Sequence, residues 1–329
     1  MIHRFLTLLI SGRQAILCTA LCSLLFCFFY FSTNSETVRE VTSTDTDHVH
    51  YLTLQLRYLL TILANWSIML VIATFSFLLN KKFRIIKDPT KLPFILLVLF
   101  VTTIFLPDLQ IHDSLAIFCM ILLFFPLLDG YKKTNPIGNL FNVALCFSLA
   151  TIIKPVSVLL FPALLWGFYL FRLLSFKSFL AFLWGLLPFY WLLLGYCIVQ
   201  NDYSYFLNWK SAFNITYYLP IAWKWEAWLL CIAWLLSLTM VFVNMQTHSY
   251  GDKVRSRLFL RFSYSLLLAE TLVLFFFANE RAYCLYLFSI SASLLLSHYF
   301  TSVRSKYTTI LFYTLFFVCI LFFFIRLHL

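Results

Sequence analysis

The sequence predicts an all-α, polytopic integral membrane protein, and three observations carry that expectation. Hydrophobic residues fill 62% of the 329 positions and charged residues 11%, against about 45–50% and about 25% in an ordinary soluble domain. Thirty-nine Phe stand beside only seven Gly, an aromatic load that would aggregate if it faced water. The apolar residues also fall into a long series of runs of the length that helices take in lipid. Residues 1–329 therefore read as a single transmembrane domain, without a repeat of about 20–50 residues or a low-complexity linker.

Taken in order, the runs suggest about eleven helices. The first, 15–32, follows basic residues as a signal peptide would, but it exceeds the usual apolar length of about 7–15 residues and has no A-x-A site, so a retained span is expected. An acidic segment, 33–57 ("TNSETVREVTSTDTDHVHYLTLQLR"), reads as the first outer loop before a second span at 58–79. Four short runs follow, at 92–106, 114–128, 140–153 and 156–171. Each falls below the roughly 20 residues needed to cross hydrocarbon, so they are expected to pack within protein or beside a wet cavity. Pro155 disfavours helix at Lys154, which places a turn between the last two. A span at 179–199 leads into an outer, Tyr- and Trp-rich interfacial segment at 200–226. The series closes with runs at 227–244, 263–278, 283–298 and 308–325.

Charge orients the series. With a cytoplasmic N-terminus, the inner loops hold 17 of the 24 Lys and Arg, led by "KKFRIIKDPTK" and "DKVRSRLFLR", as the bias of Lys and Arg toward cytoplasmic loops requires. The net charge of +11 is thus an orientation signal, and nucleic-acid binding is excluded. The nine Cys lie in apolar runs without a CxxC pair, so they read as small core residues rather than metal ligands or disulfides. The location expected is a bacterial inner membrane, with membrane lipid as the first partner.

This topology gathers several polar residues on the outer side: Asp108, His112 and Asp113 in "PDLQIHD", Lys154 in "IIKPV", and Glu280 and Arg281 in "ANERAYCL". Asp113 also suits a helix N-cap before Ser114, and Lys154 suits a snorkelling role. Asp45, Asp47, His48 and His50 lie on the same side; H-x-H spacing in "DHVH" leaves a divalent metal open as an alternative. Glu270, in "SYSLLLAETLVLFFFA", sits within an apolar run and must face inward, as a hydrogen-bonded neutral acid or as a proton or ion site.

The acidic first outer loop, "LQIHDSLAIFCMILLF" and "ATIIKPVSVLLFPALLWGF" together resemble the integral-membrane C-type glycosyltransferase superfamily over about residues 15–175. That resemblance implies a polyprenyl-phosphate sugar donor, Asp45 or Asp47 as the base, Asp113 as a supporting acid and Lys154 as a phosphate contact. His112 and Arg281 join Lys154 as candidate substrate contacts. The chain is also similar to an uncharacterised family of polytopic inner-membrane proteins from Bacteroidota, through "KKFRIIKDPTKLPFILLVLF", "LPDLQIHDSL" and "FKSFLAFLWGLLPFYWLLLGY". Two further functions stay open: a non-catalytic scaffold in a cell-envelope complex, and a transporter using Glu270.

Overall fold

The computed structural model describes residues 14–42, 48–86, 90–105, 110–201, 203, 209, 213, 235, 238–243, 253–277, 280–302 and 306–328. Its elements are all helical: α1 (Ala15–Thr42), α2 (His48–Phe83), α3 (Leu92–Phe100) with a π-helical turn (Val101–Phe105), α4 (Ile111–Asp129), α5 (Ile137–Ile153), a 3-10 turn (Pro155–Leu160), α6 (Phe161–Leu170), α7 (Phe176–Gln200), α8 (Val254–Phe276), α9 (Arg281–Ser302) and α10 (Lys306–His328). Among the described residues, six helices are long and apolar enough to cross a membrane: Ala15–Ser32, Leu56–Phe83, Ile111–Asp129, Phe176–Gln200, Val254–Phe276 and Arg281–Ser302. Four shorter apolar helices accompany them. The molecule is an integral membrane protein of the multi-pass helical kind.

Hydropathy located most of these helices to within a few residues; α8 opens nine residues before the expected start at 263, and the run at 227–244 lies mostly outside the described residues. The segment read as a first outer loop differs in form. Residues 33–42 continue α1, and residues 48–57 open α2. A helix satisfies its own backbone hydrogen bonds and so can run on past its apolar part into polar sequence.

Burial ranks the helices. α9 has 89% of its most apolar window enclosed, whereas the windows of α1 and α7 are 17% enclosed, which makes α9 the axis of the bundle and puts the other two against lipid. Because α9 touches protein on every side, it tolerates serines: Ser289, Ser293 and Ser297 each donate to the carbonyl three residues back, at 2.6–2.9 Å. Small side chains there let neighbouring helices approach. The short α3 is enclosed too, with Leu92–Val98 and Phe100 buried against its neighbours, so its length need not match the bilayer. Cys18 and Cys22 are exposed on α1 while Cys27, Cys197, Cys284 and Cys319 are buried; the expectation that every Cys fills the core fails for the first two, because the outer face of α1 is lipid-facing.

The two ends of the bundle differ in charge. At the end where α2 and α4 finish, Asp129 lies 3.5 Å from Lys82 and 3.8 Å from Lys133, and the Arg255 guanidinium covers the rings of Phe83 and Tyr131 at 5.7 and 5.4 Å. These half-exposed pairs contribute little stability. Arg84, Lys132 and Arg172 take positive φ at the same end, closing helices in a chain with few glycines. The other end holds Asp113 and Glu280.

Candidate functional site

The first turn of α4, the Lys154 break and the start of α9 bring three charges together. Pro155 blocks helix continuation at Lys154, whose backbone is extended (φ −134°, ψ 101°), and this turns its side chain out of the helical path. Its ammonium Nζ lies 2.7 Å from Asp113 Oδ1 and 2.8 Å from Glu280 Oε2. The Glu280 contact is a directed hydrogen bond; the Asp113 contact is ionic, its angle falling outside hydrogen-bond geometry. The side chains are 15%, 5% and 21% exposed for Lys154, Asp113 and Glu280, so water screens the cluster weakly.

Asp113 is fixed twice. Its other oxygen, Oδ2, accepts the backbone N–H of Gln110 at 3.1 Å. Gln110, not Asp113, is therefore the N-cap, and Asp113 occupies the third helical position, where a carboxylate closes the first turn and meets the positive end of the helix dipole. The helix starts three residues earlier than its apolar run, because His112 and Asp113 interrupt the hydropathy while the contacts between Gln110 and Asp113 close the first turn. Ser114 then donates to Asn65 Oδ1 at 2.9 Å and ties α4 to α2.

Burial acts to lower the pKa of Lys154, but the contacts and charges of Asp113 and Glu280 outweigh it and hold the ammonium above the ordinary lysine range. A raised lysine contributes its stability in full at and below that ordinary range and loses it only as pH climbs through the raised value. The Lys154 ammonium therefore keeps its charge at physiological pH.

Below it, Ser157 and Tyr283 share a 2.7 Å hydrogen bond between the 3-10 turn and α9. Deeper still, Glu270 on α8 is 2% exposed and accepts a 3.2 Å hydrogen bond from Ser291 on α9. Glu270 thus faces inward, as its place in an apolar run requires.

Of the other residues singled out in the sequence, Arg281 is the exposed first residue of α9, next to Glu280, and His112 is exposed in the first turn of α4. His48 and His50 open α2, with side chains outside the described set, and Asp45, Asp47 and Asp108 also lie outside it. Among the described residues no group of three His, Cys, Asp or Glu is placed to hold a metal ion. Within 200–226 only Gln200, Asn201, Tyr203, Trp209 and Phe213 are described; Trp209 meets Tyr190 edge-on at 6.0 Å. Sequence reasoning missed the pairing of Glu280 with Lys154 and the roles of Asn65, Ser157 and Tyr283. The sole available hint was that "IIKPV" and "ANERAY" both mark turns at the same end.

Compared with protein-family models, curated proteins and solved structures, the chain matches none.

Proposed function

We propose that the protein is a C-type-like glycosyltransferase of the bacterial inner membrane, moving a sugar from a polyprenyl phosphate onto an acceptor at the outer face. The observation that supports this reading is the meeting of Asp113, Lys154 and Glu280, far apart in sequence, at the acidic end of the bundle. In this reading the N-terminus is cytoplasmic, about eleven helices cross or enter the membrane, and the basic end around Asp129 faces the cytosol, in keeping with the Lys and Arg bias.

The chemistry divides among the residues by exposure. Asp113 is buried and fully engaged, so its part is to hold Lys154, and the base falls to Asp45 or Asp47. That carboxylate takes the acceptor hydroxyl's proton; the oxygen attacks the sugar's anomeric carbon, and the bond from that carbon to the phosphate oxygen breaks. Of the three ammonium N–H groups of Lys154, one bonds Glu280 and a second is drawn toward Asp113 by charge alone. The third, with Arg281 alongside, stabilises the departing phosphate.

Burial of the same cluster favours a second reading, a scaffold subunit of an envelope complex in which the three charges only pin hairpins together. Substituting Asp45→Asn and Asp47→Asn separates the two. Loss of an envelope glycan at unchanged protein level in at least one variant is expected for the transferase; an unchanged glycan profile in both, with one fixed partner copurifying, overturns it in favour of the scaffold.

A further inference from the structure

Glu270 has features that neither reading uses. Its Oε1 accepts from Ser291, but its Oε2 has no hydrogen-bond partner although the residue is buried. The carboxyl borders a cavity of about 10 Å³ lined otherwise by apolar groups such as Met120 and Phe124 of α4, Leu266 of α8 and Leu287 of α9. That volume suits a single water. Glu270 and Ser291 are the only polar residues among those lining it, too few ligands for calcium or magnesium, which take six or more oxygens, or for zinc, which takes four ligands.

Besides Glu270, the titratable groups on the elements that line it are Arg281, Tyr283, Cys284, Tyr286, His298 and Tyr299 of α9, Arg255, Arg257, Arg261 and Tyr264 of α8, and His112, Asp113, Cys119 and Asp129 of α4, with Lys154 and Glu280 beside Asp113. No cation pairs with Glu270 among the described residues, and an unpaired carboxylate buried in apolar surroundings is heavily penalised. The acidic end is close by. Tyr283, on the α9 helix that also carries Ser291, is hydrogen-bonded to Ser157, three residues past Lys154.

We propose that Glu270 is a proton-binding site. Its carboxyl takes up one proton and keeps it on Oε2, donating a hydrogen bond to a single water in the cavity, and exchanges that proton with the acidic end past Tyr283 and Ser157. Ser291 holds the second oxygen and keeps the acid from rotating. The step moves a proton alone, with no bond to carbon changed, and it does not rest on the transferase reading.

Infrared spectroscopy of the full chain in an ester-free detergent tests it. A C=O band of a protonated carboxyl is expected at neutral pH, absent in Glu270→Gln and shifted down in D2O. No such band, a band that survives Glu270→Gln, or one that D2O leaves unmoved overturns the site. Should Glu270→Gln fail to accumulate, Ser291→Ala supplies the reading: loss of its hydrogen bond is expected to move the band, and an unmoved band overturns the proposal. Glycan synthesis is not read in this experiment, so failure here leaves the transferase reading standing.

Discussion

Replacing Lys154 by methionine is expected to destabilise the folded protein by about 3–5 kcal/mol, the range for removing one partner from a buried ion pair. Methionine nearly matches the lysine stem in length, so the loss is that of charge rather than of packing. Without the ammonium, Asp113 and Glu280, each within 2.8 Å of its former position, are left facing one another across a weakly screened space. Two consequences distinguish this from a general packing defect. The variant gains stability as pH falls, because protonation relieves the repulsion. Adding Asp113→Asn and Glu280→Gln recovers much of the loss, since the uncompensated charges are then gone. Thermal unfolding of the purified protein in detergent across a pH series checks both; a Lys154→Met variant as stable as the parent would show that the cluster holds nothing together.

Gly185→Val carries the second large effect. Gly185 lies on α7 where that helix meets α5 in the most extensive helix pairing of the described structure. A Cβ placed there stands 2.6 Å from the Phe141 carbonyl oxygen, 2.7 Å from Ala144 Cβ and 3.2 Å from Phe141 Cα. Because two of these atoms are backbone, no rotamer change relieves the clash, and α7 must move away from α5. Overpacking of this kind costs about 1–3 kcal/mol, and the two extra methyl groups of valine place the loss at the upper end. A glycine inside a helix is itself disfavoured by about 1 kcal/mol relative to alanine, so retaining it at this contact implies that the close approach outweighs propensity. Gly195, on the same helix, has nothing within 4 Å of its Cβ position. Gly195→Ala is therefore expected to be neutral or slightly stabilising, and comparing the two variants by thermal unfolding separates helix packing from intrinsic propensity. Gly167→Ala falls between them, because its nearest neighbour is the ring of Phe262, a side chain with some freedom to shift.

The helices were legible in the sequence because lipid imposes a simple rule: runs of Leu, Ile and Phe must be helical to satisfy their own backbone. The break at Lys154 was legible as well, since proline acts on its immediate neighbour. What hydropathy does not record is where polar sequence stays helical. The segment around Glu36 and Glu40 and the turn at Ile111 and His112 lie within helices, yet both read as links. At the acidic end, charge alternation was enough to put Asp113 and Lys154 on the same side. It was silent on Glu280, which reaches Lys154 across 126 residues, because only tertiary packing creates that neighbourhood. The depth of Glu270 followed from its apolar surroundings. Its partner Ser291 did not, since four buried serines of α9 look alike in sequence, and three of them bond to their own helix instead.

The convergence of charges from separate hairpins is most directly tested by a double-mutant cycle between Asp113→Asn and Lys154→Met. Stability is measured for the parent, both single variants and the double variant under one set of conditions. Direct contact at 2.7 Å is expected to give a coupling of about 1–3 kcal/mol, the range for interacting neighbours. Losses that simply add, with coupling inside the scatter of about 0.3–0.5 kcal/mol seen for distant sites, would mean that Asp113 and Lys154 do not meet, and the outer-face site would have no structural basis.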